Sequence, residues 1–522
     1  MPRLAILVGL VAALLILPRL NHREIIGTHE AVYPVVARDM MERGAWLDAQ
    51  LRGTPYRGKP PLYPWAIALS SWPGGAVTVT TARLPGALAA IGAVVAVFLL
   101  GARLFGRRAG LWAAMVFMTS ILFFDHALVT IPDVPMIFIG LLAGLALWSI
   151  GHGGGRSAVF GFYVALSLGV FIKHFSGLLP LAVGLVWLGA DGGRRALKRL
   201  VWWPGIALFV AVTAIWLVPM TRLDGGGRFA SEVVWGDWLR QHIGGPRLAT
   251  LGGELAYAVL GFMPWTLLFP VALVAAIKAR RERAVAFALW WLVVPALFIF
   301  WVQQQRVRYL LPLVAGAALL VAWWADREAS RAPRRHAALA VASLVLGVGG
   351  ALIVPSVLGA TGITLPAPRW QIALLLLGVA AIGIIAAVSF WTARLTVMFP
   401  AVAAISAVLL FSGGWIVDEW QNRTWDFAAV ARDLDKRSGP LAVAALAIDN
   451  QELLPVDFYL GRSLPLLRSP EAVGAHLKDV RGTVLVEDWR WRAAPAWLSV
   501  DSNRLRAEVV GAGVVAVSDG AR

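Results

Sequence analysis

The chain has 522 residues, 59% of them hydrophobic and only 15% charged, where a soluble domain carries about 25%. With a mean hydropathy of +0.72 it is excluded as an ordinary soluble enzyme, and without cysteine it has no disulfide framework, thiolate zinc site or cysteine nucleophile. The formal charge of +17 does not signal nucleic-acid binding, because most Lys and Arg sit in short runs between apolar segments, the pattern that encodes orientation in a membrane.

Runs of about 17–25 apolar residues cross the hydrocarbon layer as helices. Such runs fall near residues 4–20, 82–104, 109–126, 134–150, 158–172, 176–190, 201–220, 255–277, 284–302, 309–325, 337–358, 370–390 and 395–416, about 13 spans in all. The first follows Arg3 and lacks an A-x-A-type site, so an uncleaved anchor is expected. The fold class is a polytopic α-helical membrane protein, with a transmembrane module over 1–416.

Between the first two runs lies a long loop, 21–81. In it, Val32, Val35, Val36 and Met40 recur at helical spacing, with Arg38, Asp39, Glu42 and Arg43 on the other side. This predicts an amphipathic helix lying on the membrane and stopped by Gly44. His29 and Glu30 then stand at its N-terminus, where the dipole favours an ionised carboxylate; a simple capping role for Glu30 is the alternative. Next, Lys59-Pro60-Pro61-Leu62-Tyr63 places a cation at headgroup depth, either to hold a lipid phosphate or as ordinary snorkelling.

The loop 125–133 carries Asp125, His126 and Asp133 and no basic residue, with Asp133 opening a span where it could serve as an N-cap. Lys173-His174 adds a cation. Arg306 and Arg308, before Tyr309, bring two guanidiniums suited to bidentate phosphate binding. Basic residues concentrate in alternate short loops: Arg103, Arg107 and Arg108; Arg156; Arg194 to Arg199; Lys278 to Arg283; Arg327 to Arg335; Arg394. The rich set is expected in the cytoplasm, with the N-terminus inside. A second large outer loop spans 221–254. From 417 to 522 the pattern changes to short strands (Leu441–Ile448, Thr483–Glu487, Val509–Val517) and helices (Thr424–Arg437, Ser469–Asp479), a small C-terminal α/β extracytoplasmic domain. Ser469 and Pro470 read as N-cap and first helical residue. No carboxylate lies in the middle of a span, which speaks against an ion-coupled transporter.

Taken in order, His29 through Met40, Lys59-Pro60-Pro61-Leu62-Tyr63, Asp133-Val134-Pro135-Met136, Gly261-Phe262-Met263-Pro264-Trp265-Thr266, Arg308-Tyr309-Leu310-Leu311-Pro312 and Phe458-Tyr459-Leu460-Gly461-Arg462 resemble the aminoarabinose transferase/protein mannosyltransferase family. The resemblance implies a GT-C fold and an inverting glycosyltransferase. Such an enzyme moves a sugar from a polyprenyl-phosphate-linked donor to a lipid, glycan or protein acceptor at the outer face of a bacterial inner membrane. It implies catalytic roles for Glu30 and Asp133, with His29 as an alternative base, and donor-phosphate binding by Lys59, Arg306, Arg308, Tyr309 and Lys173. The chain departs from the pattern at His29, where the family carries Asp, and at Gly58, where an acid often precedes the lysine. His242 is the one candidate for the family's second-loop histidine, so the cofactor stays open between none and a divalent metal ion. Expected partners are the lipid-linked donor and membrane lipids, not nucleic acid. A lipid-linked sugar transporter or flippase, or an inactive relative acting as a scaffold, are the alternatives.

Overall fold

The computed structural model describes the chain except residues 57, 224–250, 302–305, 328–336, 354–366, 393, 438–442, 447–452, 480–482, 488–504 and 520–522. The chain forms two compact units, one of Met1–Arg19, Arg57–Leu62 and Pro85–Ile416, the other of Leu20–Tyr56, Tyr63–Leu84 and Val417–Arg522.

The first unit is a helical membrane body. Among the described residues nine helices are long and apolar enough to cross a membrane, ten with one bent pair. Many large apolar side chains point outward, among them Leu14 (72% exposed), Leu377 and Trp391, as expected where lipid is the solvent. The chain is a multi-pass membrane protein. Its helices run α1 (Pro2–Ile16), α4 (Val79–Phe105), α5 (Arg107–Met118), α6 (Ile121–His126), α7 (Asp133–Gly151), α8 (Arg156–Lys173), α9 (Leu179–Leu197) and α10 (Trp203–Leu223). There follow α11 (Leu251–Gly261), α12 (Leu268–Lys278), α13 (Arg283–Trp301), α14 (Leu311–Arg327), α15 (Ala337–Leu344), α16 (Arg369–Thr392) and α17 (Leu395–Thr424).

Two expected spans are broken. The run 109–126 divides into α5 and α6 at Thr119-Ser120, whose hydroxyls bond back to the Met115 and Val116 carbonyls. The run 255–277 bends by 117° between Gly261 and Trp265, where Pro264 supplies no backbone N–H to continue the helix. Close crossings rest on small residues: a Cβ on Gly110 of α5 would lie 2.6 Å from the Phe98 carbonyl of α4, so only glycine lets the backbones approach.

The loops rich in basic residues gather at one end of this body. Arg108 pairs with Asp326, Arg327 with Glu282, and Arg283 with Asp191 at 2.9 Å. Arg199 and Arg283 both donate to the Gly151 carbonyl. Five loops grouped by charge alone are therefore tied together.

In the second unit, β3 (Val443–Leu446), β4 (Leu466–Leu467), β5 (Thr483–Glu487), β6 (Leu505–Gly511) and β7 (Val514–Asp519) form a sheet in the order β4-β3-β5-β7-β6. β3 is parallel to β4 and β5, and β7 is antiparallel to β5 and β6. Alternation along β5 fills both faces. Leu485 packs with α18 (Phe427–Arg437) and α19 (Leu454–Leu460), whereas Val484 and Val486 pack with Val473 and Leu477 of α20 (Pro470–Asp479). The Ser469 hydroxyl caps α20 by accepting from the Ala472 N–H at 3.2 Å, as its sequence predicts.

α2 (Thr28–Arg43) belongs to this unit and ends at Gly44 in the left-handed conformation, φ 64°. The expectation that it lies on the membrane is corrected. Glu30 to Ala37 and Met40 are all buried in protein, and Arg38 donates to the Asp457 carbonyl of α19 at 2.8 Å. The short β1–β2 hairpin (Gln50–Leu51, Thr54–Pro55) is tied to the same helix. Arg52 grips the Asp457 carboxylate with two bonds of 2.6 and 2.7 Å, both side chains being buried. The Tyr459 hydroxyl donates to Glu24 and accepts from the Ile25 N–H. The first loop and the FYLGR segment thus form one folded body.

Candidate active site

In the membrane unit, residues far apart in sequence converge at the end opposite the basic loops. α8 stops at Lys173, and a 3-10 turn over His174–Leu178 reverses the chain into α9. That reversal is tight: a Cβ on Gly177 would lie 2.2 Å from the Gly169 backbone. It aims Lys173 at the first residue of α7, where Lys173 Nζ donates to Asp133 Oδ1 at 2.5 Å. Arg308 Nε lies 3.6 Å from Asp133 Oδ2. The Tyr309 ring receives Lys173 Nζ at 4.5 Å and the Arg308 guanidinium at 5.8 Å, a cation–π arrangement that fixes both. Asp133 is 2% exposed and makes no side-chain cap; the capping alternative gives way to an ion-paired carboxylate.

Lys59 joins this group from the first loop. Its Nζ lies 2.8 Å from His174 Nε2. Burial pushes the Lys59 ammonium down to about 7; Lys173, Arg308 and Arg306 push the same way, and Asp133 opposes them. Arg306 thus acts on the cluster through its charge. Among the described residues four cations surround one carboxylate, an imbalance suited to an anion carrying one or two charges, with bidentate capacity from arginine.

The cluster borders a small cleft lined by Asp133, Lys173, Arg308 and Tyr309. Met136, Ile137, Ser176, Leu179, Pro295 and Pro312 line both this cleft and a neighbouring narrow crevice. The crevice has an almost wholly apolar wall between α7, α8, α9, α13 and α14. A polar head pocket therefore runs into an apolar trough.

The other expected carboxylate lies in the second unit. Glu30 Oε1 accepts from Arg83 Nη2 at 2.8 Å and from Arg83 Nε at 3.2 Å, and α2 carries no side-chain cap. Arg83 is 1% exposed and also donates to the carbonyls of Leu20, Arg23 and Glu24. It holds the loop before α2 as well as the carboxylate. His29 sits half-buried in the first turn of α2. Tyr63, which closes the Lys-Pro-Pro segment, meets Tyr33 of α2 edge-on at 5.3 Å. Sequence reasoning passed over Arg83 and gave His174 no separate role. The signal for Arg83 was an arginine near the start of an apolar helix, where an ionisable group marks function or a specific partner. His242 lies outside the described residues, among which no three His, Asp or Glu side chains gather to hold a metal ion.

The chain is similar in sequence and in fold to known membrane proteins. Residues 58–218 match the family model described as dolichyl-phosphate-mannose-protein mannosyltransferase. The chain is 26% identical over 373 residues to the undecaprenyl phosphate-alpha-4-amino-4-deoxy-L-arabinose arabinosyl transferase of Erwinia tasmaniensis, covering 69% of this chain and 66% of that one. It is 28% identical over 312 residues to one of two such transferases of Sodalis glossinidius, covering 56% and 53%. The matches thus span about half to two thirds of these relatives' length. Among solved structures, ArnT from Cupriavidus metallidurans bound to undecaprenyl phosphate superposes with a TM-score of 0.79 at 19% identity, over 98% of this chain and 97% of that one. The apo oligosaccharyltransferase of Archaeoglobus fulgidus gives 0.52 at 11% identity, over 96% and 73%. The fold is the GT-C fold, and the resemblance read from the ordered motifs, to the aminoarabinose transferase and protein mannosyltransferase-like proteins, holds in sequence and in structure.

Proposed function

We propose that this chain is an inverting glycosyltransferase that takes a sugar from a polyprenyl-phosphate-linked donor and passes it to an acceptor at the outer face of a bacterial inner membrane. The observation that carries the reading is the continuity of the cation-rich cleft with the apolar crevice. Such a site fits a ligand with an anionic head and a hydrocarbon tail. It takes its orientation from the basic loops, which belong in the cytoplasm together with the N-terminus.

In the reaction, the bond between the anomeric carbon and the donor phosphate breaks as the acceptor attacks from the opposite face. Negative charge grows on the departing phosphate, and fixed cations aimed at it lower the barrier. We assign this role to Lys59, Lys173 and Arg308, with Arg306 adding field and Tyr309 holding two of the cations in place. Asp133, bound by Lys173 and Arg308, holds those cations apart and oriented. Glu30, bound twice by Arg83, is a paired carboxylate too, and His29 stands beside it in α2. Histidine is a competent base near neutral pH, so its replacement of the family's aspartate is compatible with turnover.

Mass spectrometry of envelope lipids and glycans, from cells with and without the chain, tests the reading. The expected result without it is loss of a sugar from a defined acceptor and accumulation of its polyprenyl-phosphate donor. An unchanged sugar complement, with lipid-linked sugar crossing vesicles that contain the purified chain, would identify a transporter instead.

A further inference from the structure

We infer that His174 is a positioning residue for the proposed transfer, a neutral hydrogen-bond acceptor that holds the Lys59 ammonium where the donor phosphate must bind. The inference rests on the reading of Lys59 given above and extends it to a residue that no motif assigned.

Three observations support it. His174 has φ 29° and ψ −120°, a positive-φ conformation that side chains rarely adopt and that glycine reaches more readily. Departures of this kind persist where a side chain is needed for function. A turn required only for its shape would be served by glycine, which the chain does use three residues on, at Gly177, where a Cβ has no room. At position 174 the imidazole itself is what matters. It is 3% exposed and reaches Lys59 Nζ at 2.8 Å.

The neighbouring side chains divide the work. Lys173 turns to Asp133 and His174 turns to Lys59, so one backbone reversal sets the separation between the Asp133-bound cations and the lysine. The chemistry of the acceptor also matters. Lys59 faces Lys173, Arg306 and Arg308, with Asp133 as an opposing charge, and its four-carbon stem would otherwise swing away from them. A carboxylate at position 174 would hold it but cancel the positive charge that a phosphate needs. A neutral imidazole accepting through Nε2 holds it and leaves the charge intact. Burial and repulsion also push Lys59 down to about 7, so a bound phosphate draws a proton onto it, and affinity falls as pH rises through and above that value.

The test uses the full chain in lipid nanodiscs, with undecaprenyl phosphate as probe. Affinity is measured from about pH 6 to 9, spanning the Lys59 transition, together with thermal unfolding. His174→Gly, relieved of backbone strain, should unfold no lower than wild type yet bind about ten-fold more weakly, the effect of one lost hydrogen bond. Its fall in affinity with pH should be displaced from that of wild type. His174→Gln, which offers a neutral acceptor, should recover most of the affinity; His174→Leu should not. Equal affinity and an unchanged pH profile for His174→Gly, or for His174→Gln and His174→Leu should the glycine variant fail to fold, would overturn the positioning role. Failure of wild type to bind the probe at all would instead remove the reading of Lys59 beneath it, and the inference with it.

Discussion

Lys59→Ala is expected to reduce sugar transfer by about a hundred- to a thousand-fold, the effect of removing one fixed donor from a site of developing charge. The fold should not suffer. The Lys59 ammonium is desolvated beside Lys173, Arg306 and Arg308, with His174 Nε2 at 2.8 Å and Asp133 as an opposing charge. Removing it relieves repulsion and desolvation together. Thermal unfolding should therefore stay level or move upward while transfer collapses, the trade between stability and activity expected of a site built for a missing anion. Lys59→Arg should keep charge at every pH and flatten the pH dependence of binding, because arginine does not titrate in this range.

Asp133→Asn should abolish transfer too, but with the opposite effect on the fold. Asp133 is the counter-charge for Lys173 at 2.5 Å and Arg308 at 3.6 Å, and all three are largely withdrawn from solvent. Loss of one member of a buried ion pair costs about 3–5 kcal/mol, because the partner charge is left uncompensated. The unfolding temperature should drop clearly. The two variants thus lose the same activity while moving stability in opposite directions, a contrast that a general loss of folding cannot reproduce. Parallel unfolding scans and transfer assays on both variants measure it.

Much of this architecture is legible in the sequence because membrane physics is simple at low resolution. Apolar run length located the helices, and the bias of Lys and Arg grouped the loops that ion pairs such as Arg283–Asp191 join. Local chemistry fixed two element ends, at Gly44 and at Ser469-Pro470. Periodicity failed where it cannot report the identity of the covering surface: Val32, Val35, Val36 and Met40 form a real apolar stripe, but protein, not lipid, covers it. The stretch Val509–Val517 reads as one strand because its residues favour strands. It is a hairpin that turns at Gly511-Ala512-Gly513, all three with positive φ, and the paired glycines were the signal. The candidate site was visible as a set of charges on loops poor in basic residues. Its pairings were not, since Lys173–Asp133 and Lys59–His174 join positions 40 and 115 residues apart; the Glu30–Arg83 pair of the second unit, 53 apart, was equally hidden. A single chain does not encode which distant cation meets which acid until the helices are packed.

Whether Lys59 and the Asp133-centred cations receive a polyprenyl phosphate is decided by solving the structure of the full chain with undecaprenyl phosphate bound. Phosphate oxygens are expected at hydrogen-bonding distance, about 2.7–3.2 Å, from Lys59 Nζ and from the Arg308 guanidinium. The prenyl chain should run down the crevice past Met136, Ile137 and Leu179. A phosphate seated elsewhere, with Lys59 and Arg308 untouched, would contradict that assignment.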